Sequence, residues 1–224
     1  VNPVTIFGRI NARQQKANAA LTRIFDLLSI VPTIQESENA HDIEEVEGRV
    51  SFKDVSFRYT EKDDYVLKNI NLDVKKGETI ALVGPTGSGK STVINLLMRF
   101  YDPVKGQVLI DGHDIRNWTL RKLRGNMGII LQTPHMFSGT VMENLRYGRL
   151  DATDDEIVRA AKLTGLHGFV MDLPEKYETK LKEGGEPLST GQKQLVSMAR
   201  AVLADPPIFI MDEATSNIDM ETEH

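Results

Sequence analysis

The sequence predicts an α/β domain preceded by an amphipathic helix, and three observations predict it. A glycine-rich stretch from Gly84 to Ser91 follows a short apolar run, Thr79 to Val83, and opens a helical pattern from Ser91 to Phe100. A second short apolar run, Ile208 to Met211, ends in the carboxylates Asp212 and Glu213. Val50 to Phe57 and Val66 to Val74 alternate apolar and polar residues, as strands with one wet face do.

The elements follow in order. From Val4 to Leu28 the apolar residues Ile6, Ile10, Ala17, Leu21, Ile24 and Leu28 fall at helical spacing, with Gln, Arg, Lys and Asn on the other face. Pro32 stops this helix. Residues 35–47 are polar and acidic without periodicity and read as a linker. The domain is expected from Gly48 onward. Thr79 to Val83 has the composition of a strand buried on both sides. Further strands are expected at Gln107 to Ile110, Gly128 to Leu131 and Ile208 to Met211. Helices are expected at Thr153 to Thr164, Leu166 to Leu173 and Ser189 to Ala204. No internal repeat or low-complexity tract interrupts the pattern.

Composition bounds the function. Of the 224 residues 40% are apolar and 26% charged, an ordinary globular balance. A formal net charge of -5 argues against a nucleic-acid surface, which needs clustered cations. With no cysteine, disulfides, thiolate metal sites and cysteine nucleophiles are excluded. No stretch reaches the roughly 18 apolar residues of a membrane helix, so the polypeptide taken alone is expected to be soluble. His41, His113, His135 and His167 lack metal-ligand spacing, and Trp118 reads as a packing residue.

The glycine-rich stretch carries the chemistry. Gly84, Pro85, Thr86, Gly87, Ser88, Gly89, Lys90 and Ser91 fit the pattern Gly, four residues, Gly-Lys-Ser, in the expected place between strand and helix. The glycines allow positive φ and a close approach to phosphate oxygens. Backbone N–H groups and the helix N-terminus then stabilise a triphosphate. Lys90 adds a point charge, and the Ser91 hydroxyl suits Mg²⁺. Average residue frequencies put a chance match in only about one in a hundred chains of this length. A turn that binds nothing is therefore the weaker reading.

Asp212 and Glu213 emerge at the carboxyl end of an apolar strand, where open parallel sheets place ligands. An Asp there can hold Mg²⁺, and a Glu beside it can take a proton from attacking water. Alone, the pair would read as solvated acids; together with the Gly84 loop it reads as a site.

Further motifs make the resemblance specific. Leu188-Ser-Thr-Gly-Gln192 looks like the signature motif of ABC ATPases, about twenty residues before the acidic strand. Gln132 resembles that family's Q-loop glutamine, and Tyr59 its adenine-stacking aromatic. Ser216 to Asp219 resembles the loop that crosses between paired ATPase domains. Phe137 to Thr140, Glu143 to Gly148 and the entry through Asn2, Pro3 and Ile24 to Leu28 resemble the exporter branch. The resemblance covers essentially the whole chain.

It implies a P-loop NTPase core with an antiparallel β subdomain and an inserted α-helical subdomain at about 138–204. Residues 1–47 would be the cytoplasmic extension of the last membrane helix plus linker, and 48–224 an ATP-binding domain. ATP and Mg²⁺ are the implied cofactors. Tyr59, the loop from Gly84 to Thr92, and Ser189, Thr190, Gly191 and Gln192 would contact nucleotide, the last four on ATP held by a partner. Ser91, Gln132 and Asp212 would surround Mg²⁺. Glu213 would be the general base, with Gln132 beside it. The implied partners are a second ATPase domain, identical or different, head to tail, and a transmembrane domain on the same polypeptide; no nucleic acid is implied. The implied place is the cytoplasmic side of a cell membrane, the implied work export driven by ATP hydrolysis.

Two departures stand out. Thr190 replaces the family's commonest glycine. The family's switch histidine falls roughly thirty residues beyond Asp219, whereas this sequence ends at His224, so the chain is expected to bind ATP and hydrolyse it poorly. Two other readings are a non-catalytic half, disfavoured by Glu213, and a soluble relative acting on nucleic acid, disfavoured by the entry helix. Glu183 to Glu186 reads as a flexible turn, or by resemblance as a loop at the interface.

Overall fold

The computed structural model describes residues 3–212. The chain divides into two units, Val1–Gln35 and Glu36–His224. The first is a helix, α1 (Pro3–Leu28). Phe7, Ile10, Leu21, Ile24, Phe25 and Leu28 on it are all exposed. Arg9, Arg13, Lys16 and Arg23 interrupt its apolar positions. No helix among the described residues is long and apolar enough to cross a membrane.

The second unit begins with β1 (Val50–Phe57), β2 (Leu67–Val74), α2 (Lys90–Leu97), β3 (Lys105–Ile110), β4 (His113–Asp114), α3 (Leu120–Gly125) and β5 (Met127–Ile130). It continues with β6 (Gly139–Thr140), α4 (Val141–Arg146), α5 (Asp154–Leu163), α6 (Leu166–Met171), β7 (Lys180–Leu181), α7 (Thr190–Ala204) and β8 (Ile208–Met211). Among the described residues three sheets result: an antiparallel one ordered β2-β1-β3-β4, a parallel pair β5-β8, and a short antiparallel pair β6-β7.

Alternation sets the faces of the antiparallel sheet. Phe52 opposes Leu72 on one side and Val108 on the other, and Val50 opposes Val74 and Ile110. Phe52, Val55, Phe57, Val108 and Ile110 are buried, while Lys53 points to water. The β1–β3 register slips between Lys53 and Ser56. Opposite the slip sits Gly106 at φ +83, where a Cβ would lie 2.3 Å from the Lys53 carbonyl oxygen. No other residue fits so close an approach.

Among the described residues of the second unit, two large cores stand out. One joins the antiparallel sheet to Leu96 and Leu97 of α2, to Trp118, and to Met127, Ile208 and Ile210 of the parallel pair. Trp118 is fully buried, as a packing residue should be. The other is helical: Val141 and Leu145 of α4, Ile157 of α5, Leu166 and Val170 of α6, and Leu195, Val196 and Ala199 of α7. Thr140 with Glu143, Thr153 with Glu156, and Ser189 with Gln192 each form a capping box that starts a helix of this group.

Residues 36–47 carry no helix or ladder strand, and they pack on the rest of the second unit. The His41 amide donates to the Asn117 carbonyl at 3.0 Å, and the Leu120 amide to Glu36 at 2.7 Å. Ile43 and Val46 pack on the first core. The Asp111 carboxylate accepts the amides of Glu47, Gly48 and Arg49 at 2.8, 3.2 and 2.8 Å.

One expected strand is absent. Residues 79–83 take no part in any ladder among the described residues, and Ile80, Leu82 and Val83 are exposed, the last at 89%. An apolar run gives a segment its preference for burial, but a strand exists only through hydrogen bonds to a neighbour. The one parallel pairing described is β5 with β8.

Candidate nucleotide site

The loop from Gly84 wraps the head of α2. Gly87 and Gly89 take φ +83 and +94, and Gly89 caps the helix without a side chain. A Cβ at Gly84 would lie 2.7 Å from the Ser88 hydroxyl, and one at Gly89 2.7 Å from Leu67. The loop therefore closes on itself and seats on β2 only as glycine. The Ser88 amide donates to the Pro85 carbonyl at 3.1 Å. The Lys90 ammonium folds back to the carbonyls of Gly84 and Pro85 at 2.9 and 3.3 Å. Its cation lies against the loop backbone, and the first amides of a helix lack carbonyl partners within it. Gly84 to Ser88 and Ser91 are exposed. Such a concentration of positive potential at a helix start binds anions, phosphate above all.

Tyr59 stands beside the same helix. Its hydroxyl and that of buried Thr92 share a hydrogen bond of 3.0 Å. Phe57 meets the Tyr59 ring edge-on at 5.0 Å, and Tyr101 does so at 5.1 Å with the planes at 87°. Tyr59 as a residue is 44% exposed. Tyr101 was not legible as part of this group, because no spacing in the sequence relates it to Tyr59.

Gln132 and Asp212 follow the ends of two paired strands. Ile130 pairs with Met211, and the Asp212 amide donates to the Ile130 carbonyl at 2.9 Å, extending the ladder by one bond. Both residues thus leave the parallel pair at its carboxyl edge. Among the described residues no strand ladder joins the Gly84 loop to this edge, although α2, β5 and β8 share one core. Glu213 and the stretch from Ser216 to Asp219 lie outside the described residues. No cluster of three or more His, Asp or Glu side chains able to hold a metal occurs among the described residues.

Ser189 to Gln192 begin α7. Ser189 is the N-cap: its hydroxyl accepts the Gln192 amide at 3.3 Å, and its own amide donates to the Gln192 side-chain oxygen at 3.0 Å. The side chain of Gln192 is thereby turned back on the cap. Ser189 and Thr190 are exposed, and Leu188 anchors the turn in the helical core. Before it, Gly184 and Gly185 take φ +83 and +87, and a Cβ on Gly185 would meet Met136 at 2.6 Å. The turn at Glu183 to Glu186 is shaped by this packing on Met136, part of the helical core.

The segment after Gln132 is held from α7. Arg200 donates to the carbonyls of His135 and Asn144 and to the Asn144 side-chain oxygen, each at 2.6 Å. Its guanidinium lies 5.6 Å from the Phe137 ring centre, and Phe137 stacks on Tyr147 at 4.3 Å. Burial pushes the Arg200 pKa down, opposed by the Tyr147 phenol. A cavity of about 280 Å³ beside it is lined by Leu131, Pro134, His135, Phe137 and Arg200 among others.

Comparison with known proteins gives these groups a common setting. The profile of the family described as ABC transporter matches residues 67–216. The chain is 50% identical over 207 residues to the uncharacterized ABC transporter ATP-binding protein YfiC of Bacillus subtilis (strain 168), covering 92% of this chain and 34% of that protein. It is 43% identical over 223 residues to the putative multidrug export ATP-binding/permease protein YgaD of the same organism, covering 100% of this chain and 38% of that one. The structure of a bacterial Atm1-family ABC exporter with ATP bound superposes with a TM-score of 0.87 at 37% identity, over 93% of this chain and 36% of that one. This chain thus spans little more than a third of the length of these relatives. With a family match over most of its length and a glycine-rich loop capping the head of α2, the chain is an ATP-binding domain of the ABC transporter family, a family of ATPases.

Proposed function

We propose that this domain binds Mg²⁺-ATP and hydrolyses it to drive export by a transporter of which it is the cytoplasmic part. One observation carries the reading: the Gly84–Lys90 loop caps α2, and the exposed ring of Tyr59 is tied to the same helix at Thr92. A phosphate cradle on a helix and an aromatic ring tied to that helix match the two ends of a nucleoside triphosphate. The relatives' names and the ATP-bound exporter of like fold support the same reading.

Each residue then has a role. Backbone N–H groups from Gly87 to Thr92 and the Lys90 ammonium hold the phosphates. Tyr59 offers its face to the adenine. The donors available to Mg²⁺ are the Ser91 hydroxyl, the Gln132 side-chain oxygen and the Asp212 carboxylate, all hard oxygens of the kind the ion prefers. Since no acidic cluster gathers among the described residues, phosphate oxygens would complete the shell. Glu213 takes the proton of the attacking water. Ser189, Thr190 and Gly191 direct the start of α7 at the terminal phosphate of ATP held by a second, head-to-tail domain. Gln192 acts there mainly through the cap it forms with Ser189. A transmembrane domain on the same polypeptide would receive the motion, with the domain on the cytoplasmic face of the membrane.

Titration calorimetry with Mg²⁺-ATP tests the binding half. Wild type should bind, and Lys90→Ala should lose at least about tenfold in affinity, the cost of one charge-assisted phosphate contact. Phosphate release tests the chemistry: Glu213→Gln should abolish turnover and retain binding. A folded wild type with no affinity for ATP would overturn the proposal.

A further inference from the structure

We propose that Tyr101 is a positioning residue for the adenine end of the site: it fixes the orientation of the Tyr59 ring without touching the phosphates. The inference rests on the ATP-site reading above and goes beyond it. Tyr59 by itself is a half-exposed ring at the end of a strand, free to turn about its side-chain bonds. Three contacts remove that freedom. Its hydroxyl is tied to Thr92, Phe57 meets it edge-on, and Tyr101 meets it edge-on with the planes at 87°. Tyr101 also leans on Phe57 at 5.5 Å, so the three rings form a closed triangle.

Tyr101 can serve as a brace because its own turn is fixed. Arg99, left-handed at φ +51 and with its side chain 3% exposed, pairs with Asp102 at 3.2 Å across that turn. The Arg124 guanidinium donates to the carbonyls of Met98 and Arg99 at 3.2 and 3.1 Å and lies over the Phe100 ring at 5.0 Å. Tyr101 is thus carried on a segment clamped from both sides, just past the end of the helix whose beginning is the phosphate loop. The same helix sets the positions of the phosphate grip, the Thr92 tether and the brace. An edge-to-face aromatic pair is worth about two- to tenfold in an equilibrium. That is the range in which Tyr101 should affect the base and leave the phosphates alone.

The test compares two ligands that share a phosphate chain and differ in the base. Affinities of Mg²⁺-ATP and Mg²⁺-tripolyphosphate are measured by calorimetry for wild type, Tyr101→Ala, Tyr101→Leu and Tyr101→Phe. The alanine and leucine variants should lose about two- to tenfold for ATP and nothing for tripolyphosphate. The phenylalanine variant, which keeps the ring edge, should bind both as wild type does. Leucine preserves apolar bulk and carries the test if alanine unfolds the turn. Unchanged ATP affinity in the leucine variant overturns the inference, as does an equal loss for both ligands. If wild type binds tripolyphosphate and shows no preference for ATP, the adenine-site reading itself fails and the brace with it.

Discussion

Arg200 and Asn144 meet at 2.6 Å, and between them they hold the segment that follows Gln132. Asn144 accepts the Phe137 amide at 3.0 Å and donates to the Phe137 and Thr140 carbonyls, each at 2.9 Å. Arg200 adds the His135 carbonyl. The helix α7, which starts at Ser189, is therefore pinned to the segment after Gln132 through the Arg200 side chain.

Removing Arg200 should be costly for that reason. Hydrogen bonds from a charged donor contribute about 1.5–3 kcal/mol, and the Asn144 carbonyl it leaves is partly buried while that of His135 is exposed. Arg200→Ala is expected to destabilise by about 2–3 kcal/mol, and Arg200→Lys, lacking the planar fork, by somewhat less. Urea unfolding gives both numbers. A double-mutant cycle with Asn144→Ala should show coupling of about 1 kcal/mol or more, since the two side chains share one network.

Gly148 closes the Glu143–Gly148 motif, and its reason is a backbone approach. A Cβ there would lie 2.3 Å from the Arg200 carbonyl oxygen and 2.9 Å from its carbonyl carbon. Neither atom can move without displacing α7. Gly148→Ala is expected to destabilise by about 1–3 kcal/mol, the usual range for forced overpacking. A lower thermal midpoint is the check.

The Ser189 turn should show a stability effect separable from any effect on turnover. Ser189→Ala removes the cap of α7 and should cost about 1 kcal/mol, whereas Ser189→Gly should cost only a few tenths. Gln192→Ala breaks the other half of the same box and should also lower the unfolding midpoint, in the absence of nucleotide. If Gln192→Ala leaves stability unchanged, its side chain is not used in the cap.

Glu156 predicts a pH dependence. The Thr153 amide, which it accepts at 2.8 Å, is the main cause that lowers its pKa from an ordinary 4.5 to about 2; Arg149 and the Thr153 hydroxyl add to it. A carboxylate whose folded pKa is depressed adds stability above its unfolded value and loses it as pH falls through the folded one. The contribution is thus complete above about pH 4.5 and gone near pH 2. Urea midpoints measured between these limits should fall more steeply for wild type than for Glu156→Gln. Parallel slopes would show that Glu156 does not drive the acid response.

Much of this protein was fixed by local order in the sequence. Residues 50–57 and 208–211 form strands where alternation and an apolar run placed them, because a side chain's period of two or its burial preference is a local property. The start of α7 was readable from Ser189, and the Gly84 loop from its glycines, because caps and left-handed turns depend on the residues that make them. Glu213 was named on the same local grounds and lies beyond the described residues.

Tertiary structure alone decided the rest. Residues 79–83 have a strand's composition but join no ladder among the described residues, and composition alone does not name a strand's partner. Gln132 and Asp212 share an edge only through the Ile130–Met211 register. Tyr101, Arg200 and the docking of residues 36–47 left no trace in spacing. Each depends on contacts between segments far apart in the chain, and only the folded backbone brings those segments within bonding distance.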